Sequence, residues 1–426
     1  MKIRRTIPPA AAPISARALL QGLTGLFPGR TNEEKLEQEL KEYFGVRHLF
    51  LVSSGKAAFA LILDALRSLA PGKRKVLIPA YTCFSVPSAI VKAGLEVSLS
   101  DVDQDTFDFD RSQLPRAIRR DTLCVVPTNL LGIPADLKRI RTLCRKKGVF
   151  LVEDAAQAMG GSYEGKLLGT IGDVGFFSLG RGKNITCGSG GIIVTNDDRI
   201  GAALRQRYAA IEQPRFFESV AAFLKALALA LFIHPSQYWF PAGLPFLKLG
   251  ETVFDPLFPV KRLSGMQAGL LQGWQQRLEE SNRIRRANAE YFCHELGWEL
   301  SKRYPVPFLR LPIIVASSTT RNTLRTLSWE QGLGLGRLYP TAIADIPELA
   351  SCIGQEAFPG ARTLAAGIVT VPTHQLLTPK DKQHIVALLR QVITEEDRSM
   401  MKDRPVQEQA LPGRGKGWYQ QQDHYV

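Results

Sequence analysis

The sequence predicts an α/β protein: a mainly parallel sheet sandwiched by helices, followed by a smaller C-terminal α+β domain. Three observations lead there. Between about residues 48 and 200, short apolar runs alternate with helix-length stretches, the pattern of parallel strands covered on both faces. Several runs end in small or polar residues, at Ser54 and Gly55, at Asp154 and at Ser178, and open α/β sheets bind ligands at the carboxyl ends of their strands. The chain has 426 residues, 45% of them hydrophobic, which exceeds one ordinary core and calls for a second domain.

The expected strands, in chain order, are "HLFLVSS", "KVLIPA", "EVSLSDVD", "LCVVPTN", "VFLVED", "DVGFFSL" and "GIIVTND". The helices between them include "GKAAFALILDALRSLA", "FSVPSAIVKAG", a segment near Leu114 to Arg120, and "LKRIRTLCRKKG". In the last, Leu137, Ile140 and Cys144 share one face and the basic residues take the others, as on a solvated helix. Residues from about 262 to 300 are rich in strong helix formers. The strands "LPIIVAS" and "IVTVPTH", with helices near Thr320–Gln331 and Pro379–Val392, make up the second domain. The expected boundaries are a basic N-terminal arm at 1–30, a large domain at 31–255 with an apolar insertion at about 213–255, a small domain at 256–397, and a polar, disordered tail at 398–426.

The formal charge is +14, part of it in Lys2, Arg4, Arg5, Arg17 and Arg30, which meet no acid before Glu33. Aromatics do not interleave with the basic residues, so no nucleic-acid partner is expected. The scattered cysteines and histidines show no metal-ligand spacing and no disulfide framework; no metal is expected, and the setting is that of a reducing cytoplasm. Proline and arginine interrupt any signal-peptide core near the start. Within the insertion, residues 216–233 carry only Glu218 and Lys225 as charges. That falls short of a membrane span. Two readings stay open: a buried or dimer-interface helix, and peripheral membrane contact through 216–240 with Tyr238 and Trp239 at the interface.

Two nucleotide motifs fail. "GGSYEGKL" has phosphate-loop spacing, but Leu167 stands where magnesium needs a hydroxyl, and no GxGxxG opens a helix after the first strand. A different constellation fits. "VEDAAQA" places Asp154 at a strand end, "FFSLGRGK" places Ser178 at another with Lys183 five residues later, and "SSGKAA" offers backbone N–H groups at a helix start. A carboxylate, a lysine and an anion cradle are the three parts pyridoxal phosphate requires. The lysine amine forms a Schiff base with the aldehyde. The aspartate keeps the pyridine nitrogen protonated, and the helix start and a serine hydroxyl hold the phosphate.

The same stretches carry a family resemblance. "VSSGKAAFAL", "VLIPAYTCFSVPSAIVKAGLEVSLSDVDQDTFDFD", "NLLGIPADL", "VEDAAQAMGGSYEGKLLGTIGDVGFFSLGRGKNITCGSGGIIVTND" and, more weakly, "RLSGMQAGLL" resemble the DegT/DnrJ/EryC1/StrS family of pyridoxal-phosphate sugar aminotransferases, of fold type I. The resemblance is dense from about residue 32 to 200 and traceable to about 392. It implies Lys183 as the Schiff-base lysine and Asp154 at the ring nitrogen. It also implies Gln157 on the 3-hydroxyl side, Ser178 at the phosphate, and Gly55, Lys56 and Ala57 as phosphate amides. Lys56 stands where the family has threonine, and its ammonium is a possible substitute for the lost hydroxyl. Cys83 aligns with the residue that stacks on the ring; Phe84, next door, is the expected substitute. "GEGG" reads "GSGG" with Ser189, a partner-subunit asparagine aligns near Val260, and "YPTAIAD" lacks a histidine. The resemblance thus implies a homodimeric aminotransferase moving an amino group from glutamate to a nucleotide- or lipid-linked keto-sugar. The alternatives are a sugar dehydratase, or a non-catalytic membrane-surface scaffold retaining the fold.

Overall fold

Short Val/Ile/Leu-rich strands buried on both faces form the centre of the molecule. The computed structural model describes residues 5–26, 32–247, 249–250, 252–300, 306–353, 357–395 and 397. Its strands are β1 (His48–Val52), β2 (Lys75–Pro79), β3 (Glu96–Ser100), β4 (Thr122–Val125), β5 (Phe150–Asp154), β6 (Ser162–Tyr163), β7 (Lys166–Leu167), β8 (Val174–Ser178), β9 (Gly191–Thr195), β10 (Arg310–Ile314) and β11 (Ile368–Pro372). Seven of them form one sheet in the order β1-β9-β8-β5-β4-β2-β3. Only β9 runs against the others in that sheet, as it is antiparallel to both β1 and β8. This agrees with the mainly parallel α/β fold expected. β6 and β7 make a small hairpin, and β10 and β11 an antiparallel pair in the C-terminal part.

The helices are α1 (Ala16–Thr24), α2 (Asn32–Phe44), α3 (Gly55–Leu69), α4 (Ser85–Lys92), α5 (Leu114–Ala117), α6 (Leu137–Lys147), α7 (Asp198–Ala210), α8 (Phe216–Phe232), α9 (Trp239–Ala242), α10 (Gly265–Leu270), α11 (Trp274–Leu296), α12 (Ser318–Gln331), α13 (Ala350–Ile353), α14 (Pro359–Gly367) and α15 (Pro379–Val392). The expected helix near Leu114–Arg120 is only one turn. The long helical stretch after residue 262 is divided at Gly273, whose positive φ of 66° breaks the helix between α10 and α11.

Strand alternation sends neighbouring side chains into two cores, one on each face of the sheet. Phe176 stacks on Phe59 with centroids 5.1 Å apart, while Phe177 stacks on Phe44 at 4.7 Å on the other face. Such pairs contribute about 0.5–1.5 kcal/mol beyond the area they bury.

The N-terminal segment differs from the arm expected. Residues 5–14 are a strap packed against the C-terminal part, with Ile7, Ala11, Ala12 and Ile14 buried. Arg5 pairs with Asp381 at 2.6 Å, the Ile7 N–H donates to Gly332 O (2.8 Å), and His374 Nε2 meets Pro8 O at 2.8 Å. Four apolar residues in eight positions outweigh the local positive charge. α1 then packs on α10, where Gly22 and Gly25 leave room for the close approach. Lys2, Arg4 and Arg30 lie outside the described residues, as does the tail at 398–426.

The apolar insertion contains α8. One side, with Ser219 and Ala226, is buried against α1 and α10. The other exposes Phe217 (82%), Leu224 (58%) and Leu231 (53%). No helix among the described residues is long and apolar enough to cross a membrane.

Candidate active site

The ends of β5 and β8 and the start of α3 converge. Asp154 closes β5 and is buried. Its Oδ1 accepts the Ala156 N–H at 3.0 Å, and the Thr128 hydroxyl also donates to it. Burial raises its pKa to about 6, opposed by the Ala156 N–H, by Lys183 and by Thr128. The adjacent Glu153 is a useful contrast. Pointing to the other face, it accepts from Asn129 Nδ2 (2.9 Å) and from the N–H groups of Gly169 (2.6 Å), Ile171 (2.9 Å) and Gly172 (3.2 Å). Glu153 is a saturated structural carboxylate; Asp154 retains accepting capacity on the side of Lys183.

Lys183 lies half-buried in the glycine-rich loop after β8. Gly182 before it adopts a φ of 71°, and a Cβ there would stand 2.9 Å from the Cβ of Ala10 in the strap. The Lys183 carbonyl accepts from Arg285 Nη2 (3.4 Å), and the next residue is held by Ser281 Oγ, which donates to Asn184 O (3.0 Å). Burial lowers the Lys183 pKa; Cys83 and Asp154 counter this, and Arg310 adds to it. A lysine depressed in this way has an unprotonated, nucleophilic fraction nearer neutrality.

At the start of α3, a Cβ on Gly55 would lie 2.8 Å from the Ser178 Cβ, so glycine alone lets the helix start approach the β8 end this closely. The N–H groups of Gly55 and Lys56 have no acceptor among the described residues. Ala57 differs from the expectation: its N–H is taken by the capping Ser54 Oγ at 3.1 Å. The Lys56 ammonium is also committed elsewhere. It pairs with Asp255 at 3.3 Å and lies 4.4 Å over the Phe258 ring, so its side chain does not replace the lost threonine hydroxyl. Ser178 stays beside the cradle, its Oγ accepting the Gly180 N–H at 3.3 Å.

Phe84 is a second correction. It is buried in the core at the start of α4, whereas Cys83 is partly exposed and acts electrostatically on Lys183, Tyr339 and Arg310. Neighbours in sequence point apart here, and it is Cys83 that faces the site. Its Sγ lies 3.4 Å from Thr252 Oγ1, so the end of the insertion reaches over this edge. Gln157 donates to the Tyr339 hydroxyl (2.7 Å) and accepts from the Leu131 N–H (3.1 Å), which leaves one amide donor for a ligand.

Sequence reasoning missed Thr128, Tyr81, Arg285, Arg310 and Tyr339. The Tyr339 N–H donates to the Tyr81 hydroxyl at 3.2 Å. Arg285 is fully buried and satisfied by carbonyls, donating to Leu309 O (2.8 Å) and Ala11 O (2.6 Å) as well as to Lys183 O. A charged residue opening the apolar strand "RLPII" was the one available signal for Arg310.

The residues present fit pyridoxal phosphate: two unspent N–H donors beside a serine form an anion cradle, and a buried carboxylate and a depressed lysine stand near one another. With the fold, they define a pyridoxal-phosphate-dependent aminotransferase of fold type I. The chain belongs to the DegT/DnrJ/EryC1/StrS aminotransferase family, whose sequence pattern matches residues 16–231. It is 26% identical over 380 residues to the GDP-perosamine synthase of Caulobacter vibrioides, covering 84% of this chain and 89% of that one. It is 31% identical over 188 residues to a pleiotropic regulatory protein of Geobacillus stearothermophilus, a match spanning 44% of this chain and half of that protein's length (50%). The fold is similar to that of Helicobacter pylori PseC, an aminotransferase involved in pseudoaminic acid biosynthesis, with a TM-score of 0.74 at 15% identity, over 91% of this chain and 99% of that one.

Proposed function

We propose that this aminotransferase moves an amino group from glutamate to a keto-sugar carried on a nucleotide or lipid, in polysaccharide or glycoconjugate synthesis. The observation that carries the reading is the buried Asp154 carboxylate near Lys183, with the unspent Gly55 and Lys56 N–H groups at the adjoining helix start. The sugar class is that of the similar proteins, a GDP-perosamine synthase and an aminotransferase of pseudoaminic acid biosynthesis, and the family resemblance supplies the donor.

When bound, pyridoxal phosphate serves as the electron sink and carries the amino group between donor and acceptor. The chain's own groups have separate tasks. The Gly55 and Lys56 amides, the Ser178 hydroxyl and the start of α3 bind the phosphate. Asp154 holds a proton on the ring nitrogen. Lys183 Nζ bonds the cofactor at rest and, once released, moves a proton at the donor carbon. Gln157, through its remaining amide donor, orients the ring's 3-hydroxyl side.

The test is an absorbance spectrum of purified protein before and after glutamate, with borohydride fixation and peptide mapping. A visible band that glutamate bleaches, and cofactor fixed on Lys183, are expected. Fixation on another lysine overturns the assignment. A glutamate-insensitive spectrum with elimination of water from the sugar favours the dehydratase, and no cofactor at all favours the scaffold.

The chain works as a homodimer, with the outer face of α8 against a second copy. α8 carries only Glu218 and Lys225 as charges, and within its own chain it covers only one side, leaving Phe217, Leu224 and Leu231 exposed. Sedimentation at low salt, with and without anionic vesicles, separates this from peripheral membrane contact through 216–240. Vesicle binding overturns the dimer reading of α8.

A further inference from the structure

A cavity of about 840 Å³ opens between α1 and the start of α11, with residues 184–186 of the lysine loop in its wall. None of Asp154, Ser178, Gly55 or Lys183 lines it, so it is separate from the candidate active site. Most side chains around it are polar and none is aromatic. Three arginines, Arg17, Arg277 and Arg283, stand there against two glutamates. Glu280 is taken up by Arg283, whose Nε and Nη2 donate to it at 2.9 and 2.7 Å. Glu279 accepts the Gln275 amide at 3.2 Å. Two guanidinium groups are left without an anion. Arg17 is exposed on α1 and has no partner among the described residues. Arg277 donates to Leu270 O at 2.8 Å, and its Nε is buried with no acceptor. The side-chain amides of Gln21, Gln276 and Gln375 are equally uncommitted among the described residues. Asn184 is 2% exposed; its Nδ2 donates to Asn282 Oδ1 at 2.9 Å, and its own Oδ1 has no donor.

Buried polar atoms without partners are few in native proteins, and each calls for a reason. Here two of them, Arg277 Nε and Asn184 Oδ1, belong to side chains of one cavity, and that cavity has the size of a small-molecule site. Guanidinium groups match phosphate oxygens in paired bonds, and primary amides both donate to and accept from hydroxyls. With no aromatic wall, nothing there stacks on a nucleobase. We infer that the cavity is a second ligand site, for a sugar phosphate, with Arg17 and Arg277 at the phosphate and the three glutamine amides at the hydroxyls. The site also communicates with the lysine loop. Ser281 in its wall donates to Asn184 O at 3.0 Å and accepts from Arg285 Nε at 3.3 Å, and Arg285 in turn holds Lys183 O. A bound ligand therefore steadies the backbone of Lys183 from outside the active site. Binding stands apart from the aminotransferase reading; only the consequence for the reaction rests on it.

The experiment is equilibrium dialysis of the full-length protein with labelled glucose 1-phosphate, with glucose and inorganic phosphate as competitors. Arg17→Gln and Arg277→Gln should each weaken binding by about 10–100-fold, the scale of a charge-assisted hydrogen bond. Glucose and phosphate should each compete at least about tenfold less well than unlabelled glucose 1-phosphate, since each offers only half of the contacts. Hydrogen exchange should slow at residues 184–186 when the ligand is bound and should not slow there in Arg17→Gln. Undiminished binding by Arg17→Gln, phosphate competing as well as the sugar phosphate, or protection confined to the surroundings of Tyr339 overturns the proposal. So does no binding at all, the result expected if a second copy of the chain covers the cavity. If Arg277→Gln does not fold, Arg17→Gln, at an exposed position, decides alone. Borohydride fixation of cofactor on a lysine other than Lys183 would overturn the functional reading instead and leave the dialysis result standing.

Discussion

The two sides of the site are built differently. On the proposed cofactor side, Asp154, Ser178, Gly55 and Lys56 sit at strand ends and a helix start, so the main chain itself aims them. On the opposite side, Cys83, Tyr81, Tyr339, Arg310 and Thr252 come from loops, from the insertion and from the C-terminal part, and they meet only after the whole chain has folded. The difference shows which part of an enzyme can change without loss of its chemistry. Groups fixed by the sheet keep their geometry even where side chains delivered from distant parts of the chain differ.

Damage to the cofactor side should therefore remove chemistry. Lys183→Ala should lower turnover by about 1000-fold or more and abolish borohydride fixation, read by steady-state transamination and peptide mapping. Asp154→Ala should cost about 100-fold in kcat, with a smaller change in cofactor affinity, because it acts on developing charge rather than on binding. Near-normal turnover of that variant would break the contrast between the two sides.

The same carboxylate makes a prediction about the cofactor-free protein. Burial raises Asp154 to about 6, so the folded state keeps a proton that the unfolded chain has already released. Stability should fall as the pH rises from about 4 to about 6 and remain lowered above that. Asp154→Asn should then stabilise the cofactor-free protein by about 2–3 kcal/mol at pH 8 and hardly at all near pH 4, measured by urea denaturation. A gain independent of pH would point to packing instead.

Arg285→Met should destabilise by about 2 kcal/mol, since it leaves the carbonyls of Ala11 and Lys183 without their donor and Leu309 O with Thr373 alone. It should also loosen Lys183, visible as faster exchange of bound cofactor. The smallest effect on the single chain is expected at α8. Phe217→Ser with Leu224→Ser should change stability within about 0.5 kcal/mol, as exposed positions do, yet shift the sedimenting species from dimer toward monomer.

What the sequence made legible follows the same division. The strands from "HLFLVSS" to "GIIVTND" declared themselves because each is a buried run bounded by turn residues, and the candidate residues Asp154 and Ser178 lie at strand ends as expected. Ala57 was misjudged because its N–H could go to a ligand or to Ser54, and local sequence does not tell a spent donor from a free one. Phe84 was misjudged because the onset of α4 decides which of two adjacent side chains turns inward. Tyr339 carried no local signal and Arg310 only its charge at the start of an apolar strand, because their meaning depends on contact with residues more than 100 positions away. The strap was hidden by composition: the basic residues near it in the sequence masked the apolar ones that lock it down.

The strap also fixes when the enzyme can become active. His374 meets Pro8 and Arg5 meets Asp381, contacts separated by 366 and 376 residues in the chain. Ala10 backs Gly182, and Ala11 shares Arg285 with Lys183. During synthesis, the residues made first must therefore wait for those made almost last before the lysine loop acquires its backing. The early sheet can form on the ribosome, since domains fold largely in order of synthesis. The loop that carries Lys183, however, is set in place only when nearly the whole chain has emerged, so a truncated or stalled product would have the sheet without that backing.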